Sequence, residues 1–316
     1  MDEFQLIRRY FVRSTQARSD VSLGIGDDAA LLQVPPGREL AVSTDSLLPG
    51  VHFPADLPAD AVGHRALAAN LSDLAAMGAV PAWVLMALTL PEPDEVWLEG
   101  FSRGFFALAD AHAVALVGGN VARGPLNITL TVHGLVEQGT ALTRSGAEVG
   151  DLVYVTGHPG DAAAGLKLLQ AGQSDPMHPC VRHFSHPEPR IAAGRALRGL
   201  ASAAIDVSDG LLADLGHLLE ARGFGAKLSL ESLPLSAELL ALHGREDAWR
   251  LALTGGDDYE LCFTLPARQA AEAEARLREA GCPAVCIGAI EATPGIRCVD
   301  RQGVPREYSR SGHRHF

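Results

Sequence analysis

Short apolar runs typical of strands alternate along this chain with stretches of helical period, and this alternation restricts it to mixed α/β folds. The segment PAWVLMALTLP (81–91) is a continuous apolar run bounded by prolines and predicts a buried strand. In the flanking segments 60–79 and 96–113, apolar residues recur at helical spacing. Further strands are predicted at 38–48, at 114–120, where the strand runs into a turn at Gly118-Gly119, and at 126–139.

A second unit is predicted to begin near residue 146. Residues 147–172 predict a strand, a Gly/Pro turn and a helix capped by Asp161. The His- and Pro-rich segment 174–189 favours a surface loop over a zinc site, because its spacing is irregular. The remaining elements are a strand, acidic turn and helix in 202–223, a glycine turn and strand in 251–266, a helix at 268–281 and a strand at 283–290. We therefore predict an α/β chain of the α+β type with two domains, 1–145 and 146–316.

Charge and cysteine content exclude several classes of partner. The net charge of -12 over 316 residues makes nucleic acid and anionic membrane surfaces poor partners. No apolar run reaches the length of a membrane-spanning helix, and the N-terminal sequence does not have the pattern of a signal peptide. Five cysteines, an odd number, favour reduced thiols and a cytoplasmic protein over a disulfide framework.

Acidic residues concentrate at predicted strand ends and helix starts. In LGIGDDAALLQV (23–34), Asp27 and Asp28 lie side by side in a Gly-rich apolar run, where unpaired carboxylates are costly. Taken singly, each acid has an ordinary explanation, such as a turn or a helix N-cap. A single explanation for all of them is a set of hard oxygen ligands for Mg²⁺. The candidate residues are Asp27, Asp28, Ser43, Thr44, Asp45, Asp73, Asp206, Ser208, Asp209, Asp257 and Asp258.

Phosphoryl transfer accounts for this many oxygen ligands. Its transition state spreads negative charge over oxygens, and catalysis consists mainly of positioning and charge neutralisation. The sequence contains neither a Walker A motif nor the protein-kinase signature motifs. If the chain uses ATP, we therefore expect it to do so with metal ions and glycine turns.

Eight motifs in order give the chain a resemblance to bacterial thiamine-monophosphate kinases, within the aminoimidazole-ribonucleotide-synthetase superfamily. The motifs are GIGDDAALL, STDSLLPGVHF, NLSDLAAMGA, VGGNVARGP, LTRSGAEVGD, VYVTGHPGDAAAGL, AIDVSDGLLADLGH and GGDDYELCF. The resemblance as a whole runs from about residue 4 to residue 290, with a weaker match in the C-terminal tail. The resemblance implies a homodimer in which strands of an ATP- and Mg-binding N-terminal domain (1–145) pair across the subunits, and a C-terminal α/β domain (146–316).

The resemblance also implies a reaction and a set of site residues. The reaction is ATP plus thiamine monophosphate giving ADP plus thiamine diphosphate, by direct in-line transfer with several Mg²⁺ ions. Metal ligands carried over from the motifs are Asp28, Ser43, Thr44, Asp45, Asp73, Asn120, Asp206 and Asp209. The implied ATP contacts are Gly119, Asn120, Arg144 and Ser208, and the implied substrate contacts are His52, Asp257 and Arg310.

Three positions depart from the family pattern. Asn120 stands where the family usually has Asp, which removes one charge from the metal site. Asp257 replaces a Glu and is shorter by one methylene. Arg310 occupies the position of an aromatic substrate contact if the tail is counted back from Phe316. Asp28 is the predicted ligand of the first acidic pair, and Asp27 is expected to shape the glycine turn.

Two alternative functions remain. The chain could be another ATP-dependent enzyme of the superfamily, although selenophosphate synthetase requires an early cysteine and the first one here is Cys180. The hydrogenase-maturation enzyme would end in a cysteine, whereas this sequence ends in Phe316. The other alternative is a homologue that binds ATP or thiamine phosphate without efficient turnover.

Overall fold

The computed structural model describes residues 2–13, 18–220 and 222–308. They divide into two compact units: residues 1–74 with 79–139, and residues 75–78 with 140–316. The sequence placed the domain boundary between residues 145 and 146. The mixed α/β class is confirmed in both units.

The first unit is built around a four-stranded sheet in the order β3-β6-β4-β5, in which β4 and β5 are parallel and the other pairs are antiparallel. Its elements are α1 Glu3–Tyr10, β1 Val21–Leu23, β2 Leu31–Leu32, β3 Arg38–Leu47, α2 Ala59–Ala76, β4 Val80–Leu90, α3 Glu95–Ala111, β5 Ala115–Arg123 and β6 Asn127–Glu137. The predicted helices at 60–79 and 96–113 and the predicted strands at 81–91 and 126–139 are confirmed.

Alternation along β6 gives the sheet two different faces. Ile128, Leu130 and Val132 are fully buried, whereas Thr129 and Thr131 between them are only partly buried. The buried face lies against α2, because Leu74 of that helix packs against the Cα of Gly134. The opposite, more open face of the sheet is partly covered by the β1–β2 hairpin, whose Leu32 packs near Trp83.

Helices α2 and α3 approach each other closely through Gly104. A Cβ atom at Gly104 would lie 1.9 Å from the carbonyl oxygen of Asp60. We expect Gly104→Ala to lower the free energy of unfolding by about 3 kcal/mol, because the two helix backbones would have to separate. Gly216→Ala is the matched control, since its Cβ would meet nothing within 4 Å, and it should be neutral or stabilising by up to about 1 kcal/mol. Denaturant unfolding measures both, and equal midpoints for the two variants would contradict this packing.

Strand β3 confirms the strand predicted at 38–48, since it runs to Leu47, which pairs with Ile128 of β6. The predicted turn at Gly118-Gly119 is wrong, because β5 runs through both glycines in register with β4. Gly119 has φ +150°, and a Cβ there would lie 1.9 Å from the Met86 carbonyl oxygen, so a glycine allows this close pairing.

The second unit has a seven-stranded sheet in the order β13-β12-β9-β11-β7-β10-β8, with β9 and β12 parallel and the other pairs antiparallel. The strands are β7 Leu152–Thr156, β8 Ala203–Val207, β9 Gly225–Ser229, β10 Glu260–Leu265, β11 Ala284–Glu291, β12 Gly295–Val299 and β13 Pro305–Arg306. The helices are α4 Asp161–Gln170, α5 Pro179–Ser185, α6 Ile191–Leu197, α7 Leu211–Glu220, α8 Ala237–Thr254 and α9 Ala270–Glu279, with 3₁₀ turns at Leu230–Ser232 and Ala267–Gln269.

Two predictions in the second unit are wrong. The segment expected to be a surface loop contains α5, whose Cys180 and Phe184 are fully buried, so its apolar residues outweigh the flanking prolines. Asp161 does not cap α4, because Gly160 is the N-cap residue and Asp161 is the first residue of the helix. The Asp161 carboxylate instead accepts a 2.6 Å hydrogen bond from the hydroxyl of Ser236.

Within the described residues, no helix is both long and apolar enough to cross a bilayer. The five cysteines are free thiols, and four of them are buried.

Candidate functional site

In the first unit, β3 and α2 bring two of the predicted ligands into direct contact. The Ser43 hydroxyl donates a hydrogen bond to Asp73 Oδ2 at 2.5 Å. Asp45 lies two residues along the same strand, so its side chain leaves the same face as that of Ser43. Its backbone N–H donates to Asn70 Oδ1 at 3.0 Å, and Asn70, fully buried on α2, donates in turn to the Ala66 carbonyl. Asn70 therefore fixes β3 to α2 beside the predicted ligands.

Thr44 lies on the other face of β3. Its hydroxyl donates to the Leu130 carbonyl at 2.9 Å and lies 3.1 Å from the hydroxyl of Thr131. Successive side chains of a strand point to opposite faces, so Thr44 points away from Ser43 and Asp73. This placement does not support the Thr44 hydroxyl as a ligand alongside those two residues.

A cavity of about 860 Å³ in the first unit brings together the acidic pair and the double glycine. Its lining includes Asp27, Asp28, Gly119 and Asn120, which come from segments about ninety residues apart in sequence. Asp27 Oδ1 accepts the backbone N–H of Asp28 at 2.8 Å, so the Asp27 side chain forms part of this turn. The turn leaves the Asp28 side chain exposed.

The conformation of the His52 loop defines the proton position on its ring. His52 Nδ1 accepts the backbone N–H of Leu48 at 3.0 Å, so a neutral ring carries its proton on Nε2. The backbone of the loop is held by Arg65, a fully buried residue of α2 whose Nη2 donates to the His52 carbonyl at 3.2 Å. His52 can therefore act as a hydrogen-bond donor through Nε2.

In the second unit, the turn between β8 and α7 carries three predicted residues: Asp206, Ser208 and Asp209. Asp206 is buried at the end of β8, while Ser208 and Asp209 are partly exposed. One oxygen of Asp214, Oδ2, accepts the backbone N–H groups of Ser208, Asp209 and Gly210 at 3.0, 3.1 and 3.1 Å. Burial, together with the nearby charge of Asp209, raises the pKa of Asp214 to about 6, although the three N–H donors oppose the shift. Asp214 therefore acts as the anchor of this turn.

The segment after α8 lies against the same turn. Asp257 and Tyr259 adopt left-handed φ angles of 68° and 52°. Their backbone N–H groups donate to the carbonyls of Ser208 and Val207, each at 2.8 Å. The Tyr259 hydroxyl also donates to Asp257 Oδ1 at 3.2 Å, so Asp257 is held from both its backbone and its side chain.

Two further predicted site residues are Arg144 and Arg310. Arg144 is exposed, and it follows Thr143, whose carbonyl accepts the N–H of Ala204 at the start of β8. Arg310 lies outside the described residues.

The donor chemistry in both units fits Mg²⁺. The predicted ligands offer carboxylate and hydroxyl oxygens, and Mg²⁺ commonly binds through one or two carboxylates plus waters and substrate phosphates. Over residues 2–13, 18–220 and 222–308, no three His, Cys, Asp or Glu side chains are grouped closely enough to hold a metal ion. A bound Mg²⁺ would therefore complete its coordination with hydroxyl, water or phosphate oxygens.

Sequence reasoning missed Asn70 and Asp214, which hold the predicted residues in place. Each left a signal in the sequence: a polar residue inside a helix segment that is otherwise largely apolar. Asn70 lies in NLSDLAAMGA three residues before Asp73, and Asp214 lies in the helix that begins after DVSDG. A polar residue there has no core role of its own, so a partner from a neighbouring segment is expected.

Family models match both halves of the chain. Residues 26–136 match the N-terminal domain, and residues 148–301 the C-terminal domain, of AIR synthase related proteins. The thiamine-monophosphate kinase of Escherichia coli K12 is 50% identical over 99% of this chain and 98% of its own length.

Solved structures show the same relationship. The crystal structure of the thiamine-monophosphate kinase from Stenotrophomonas maltophilia K279a aligns with a TM-score of 0.88 and 46% identity, covering 94% of this chain and 96% of the other. AaThiL in complex with AMPPCP and TMP aligns with a TM-score of 0.78 and 33% identity, covering 93% of each chain.

Proposed function

This chain belongs to the thiamine-monophosphate kinase family, and we propose that it transfers the γ-phosphoryl group of ATP to the phosphate of thiamine monophosphate, giving ADP and thiamine diphosphate. The observation that carries the proposal is the full-length match to enzymes of this name, at 50% identity for the E. coli relative. A relative of 33% identity binds both an ATP analogue and TMP, which supports the same pair of substrates here.

The proposal assigns Mg²⁺ to the oxygen-rich groups of each unit. The proposed ligands are Asp28, Ser43, Asp45, Asp73 and Asn120 in the first unit and Asp206 and Asp209 in the second. Near neutral pH, ATP carries about four negative charges and a phosphate monoester about two, which repel each other. Bound Mg²⁺ would neutralise part of this charge and stabilise the transition state.

The other site residues position the two substrates. The attacking group is a phosphate oxygen that is already anionic, so no general base is assigned. His52 can donate a hydrogen bond from Nε2 to the substrate, since its Nδ1 already accepts the Leu48 N–H. Arg144 suits a two-pronged contact with an ATP phosphate, Ser208 and Gly119 are the remaining ATP contacts, and Asp257 is proposed to contact thiamine monophosphate.

We also propose a homodimer in the cytoplasm. Strand β3 is an edge strand of the first sheet, and Leu40 and Val42 on it are 43% and 55% exposed. A ten-residue edge strand with exposed apolar side chains is a surface that a second copy would cover. Five free thiols fit a reducing compartment.

The direct test is product formation by the purified protein. Thiamine monophosphate, ATP and Mg²⁺ should give equal amounts of ADP and thiamine diphosphate by chromatography, and EDTA in excess of Mg²⁺ should stop the reaction. ATP binding with no thiamine diphosphate at saturating Mg²⁺ would favour the alternative of a homologue without efficient turnover.

Asn120 provides a separate test of the metal assignment. Asn120→Asp should lower the Mg²⁺ concentration needed for half-maximal activity by about threefold or more, because it adds a negative charge to the cavity that holds Asp28. Asn127→Asp adds the same charge on β6 and should leave this concentration unchanged. A titration in which Asn120→Asp has no effect would remove Asn120 from the metal site.

A further inference from the structure

The segment 256–260 carries two buried carboxylates, since Asp258 and Glu260 are 1% and 0% exposed. Asp257 and Tyr259 have left-handed φ angles and contact each other. Left-handed non-glycine residues persist only where the surrounding structure holds them. The two buried carboxylates are the side chains that hold this segment.

Asp258 attaches the segment to the start of α4. Its Oδ2 accepts the N–H of Gly160 at 2.8 Å and its Oδ1 accepts the N–H of Ala162 at 3.2 Å. Because both partners are donors, both oxygens act as acceptors, and the geometry is that of a carboxylate capping a helix N-terminus. Burial raises the pKa of Asp258 well above its ordinary value, against the effect of these donors and of His183.

Glu260 attaches the other end of the segment to Arg190. Arg190 Nε and Nη2 donate to the two carboxylate oxygens at 2.7 and 2.6 Å, and the Thr156 hydroxyl adds a third bond at 2.6 Å. Burial alone would raise the pKa of Glu260, but hydrogen bonds from His183 and Arg190 outweigh it and hold the pKa at about 2. The two-pronged ion pair fixes the direction of the backbone as well as its position.

We infer that Asp258, Glu260 and Arg190 are positioning residues that hold Asp257 in place for thiamine monophosphate. The inference rests on the proposed function, which gives Asp257 the substrate contact. The left-handed backbone of Asp257 is held on one side by the hydrogen bond from its own N–H to the Ser208 carbonyl. On the other side it is held by the next residue, Asp258, which binds the N-terminus of α4. The turn that carries Ser208 has its own anchor in Asp214, so loosening Asp258 or Glu260 affects Asp257 more than the ATP contacts.

The test compares amide variants of the two carboxylates. In Asp258→Asn and Glu260→Gln, an NH₂ group replaces one acceptor oxygen and faces an N–H donor. We expect each to raise the KM for thiamine monophosphate by about tenfold or more while changing the KM for ATP by less than about threefold. Arg190→Lys keeps the charge but loses the two-pronged contact, so it should also raise the KM for thiamine monophosphate. It replaces the amide variants as the test if those fold poorly.

Asp151→Asn is the matched control. Asp151 is a buried carboxylate of the same unit, and it accepts hydrogen bonds from the Glu148 N–H and the Ser202 hydroxyl. Neither of these partners belongs to the segment 256–260. It should lower the melting temperature as the amide variants do while leaving both KM values unchanged. A fall in melting temperature without any change in KM for thiamine monophosphate in Asp258→Asn and Glu260→Gln would overturn the inference, and so would an equal rise in both KM values.

Failure of the proposed function gives a different pattern from failure of the inference. If the wild-type protein forms no thiamine diphosphate, the proposed function is wrong. Calorimetric titration with thiamine monophosphate then takes the place of KM. Weaker binding by Asp258→Asn and Glu260→Gln, with wild-type binding by Asp151→Asn, would support the positioning role, and equal binding by wild type and all three variants would overturn it.

Discussion

Asp73→Asn is expected to lower kcat by about 100-fold or more while the protein stays folded. Asp73 is partly exposed, and its Oδ2 accepts a hydrogen bond from the hydroxyl of Ser43. Ser43 lies on β3, the strand that also carries Asp45. Replacement by Asn keeps the size and one oxygen but removes the negative charge proposed to hold Mg²⁺. Steady-state kinetics over a range of Mg²⁺ concentrations, with circular dichroism as the check on folding, measure the effect.

Ser43→Ala is the companion variant for Asp73. It removes the hydroxyl that donates to Asp73 but no charge, so its effect on kcat should be much smaller than that of Asp73→Asn. Wild-type kcat in Asp73→Asn at every Mg²⁺ concentration would show that Asp73 is not a metal ligand.

Asp214→Ala is expected to lower kcat/KM for ATP by about 100-fold, because three backbone N–H groups lose one shared charged acceptor. These groups belong to Ser208, Asp209 and Gly210, and the first two are proposed ATP and metal contacts. Asp214→Asn keeps an oxygen that can accept from the same groups, so it should recover much of the activity. Kinetics with ATP as the varied substrate compare the two variants.

The melting temperature separates positioning from simple loss of stability in this pair. If Asp214→Ala and Asp214→Asn melt at similar temperatures but differ in kcat/KM, the side chain acts by holding the turn. Equal kcat/KM for both variants and the wild type would show that the turn keeps its shape without Asp214.

The sequence predicted best where the structure depends on local periodicity. Helix α2 and strand β4 follow directly from their apolar spacing, and their ends lie within a few residues of the predicted ones. The prediction of a surface loop at 174–189 was wrong. Its prolines and histidines are typical of a loop, but α5 forms there and buries Cys180 and Phe184. Tertiary packing there overrode the local preference.

The sequence singles out the candidate ligands, which stay predictions, but it gives little indication of the residues that hold them in place. The carboxylates of the GDD, STD and DVSDG motifs stand out because acids are unusual among apolar neighbours. Asp258 lies in the segment predicted as a glycine turn and strand, but its carboxylate caps α4 through Gly160, 98 residues away in sequence. Likewise Glu260 pairs with Arg190 across 70 residues, and no local pattern encodes such a partner.

The central claim is that the γ-phosphoryl group passes directly from ATP to thiamine monophosphate. With ATP labelled with ³²P in its γ-phosphate, purified protein and Mg²⁺, the label should appear in the terminal phosphate of thiamine diphosphate, one per molecule of ADP formed. Asp73→Asn, assayed in parallel, should give little labelled product. Label that appears only as inorganic phosphate, with no labelled thiamine diphosphate, would contradict the account.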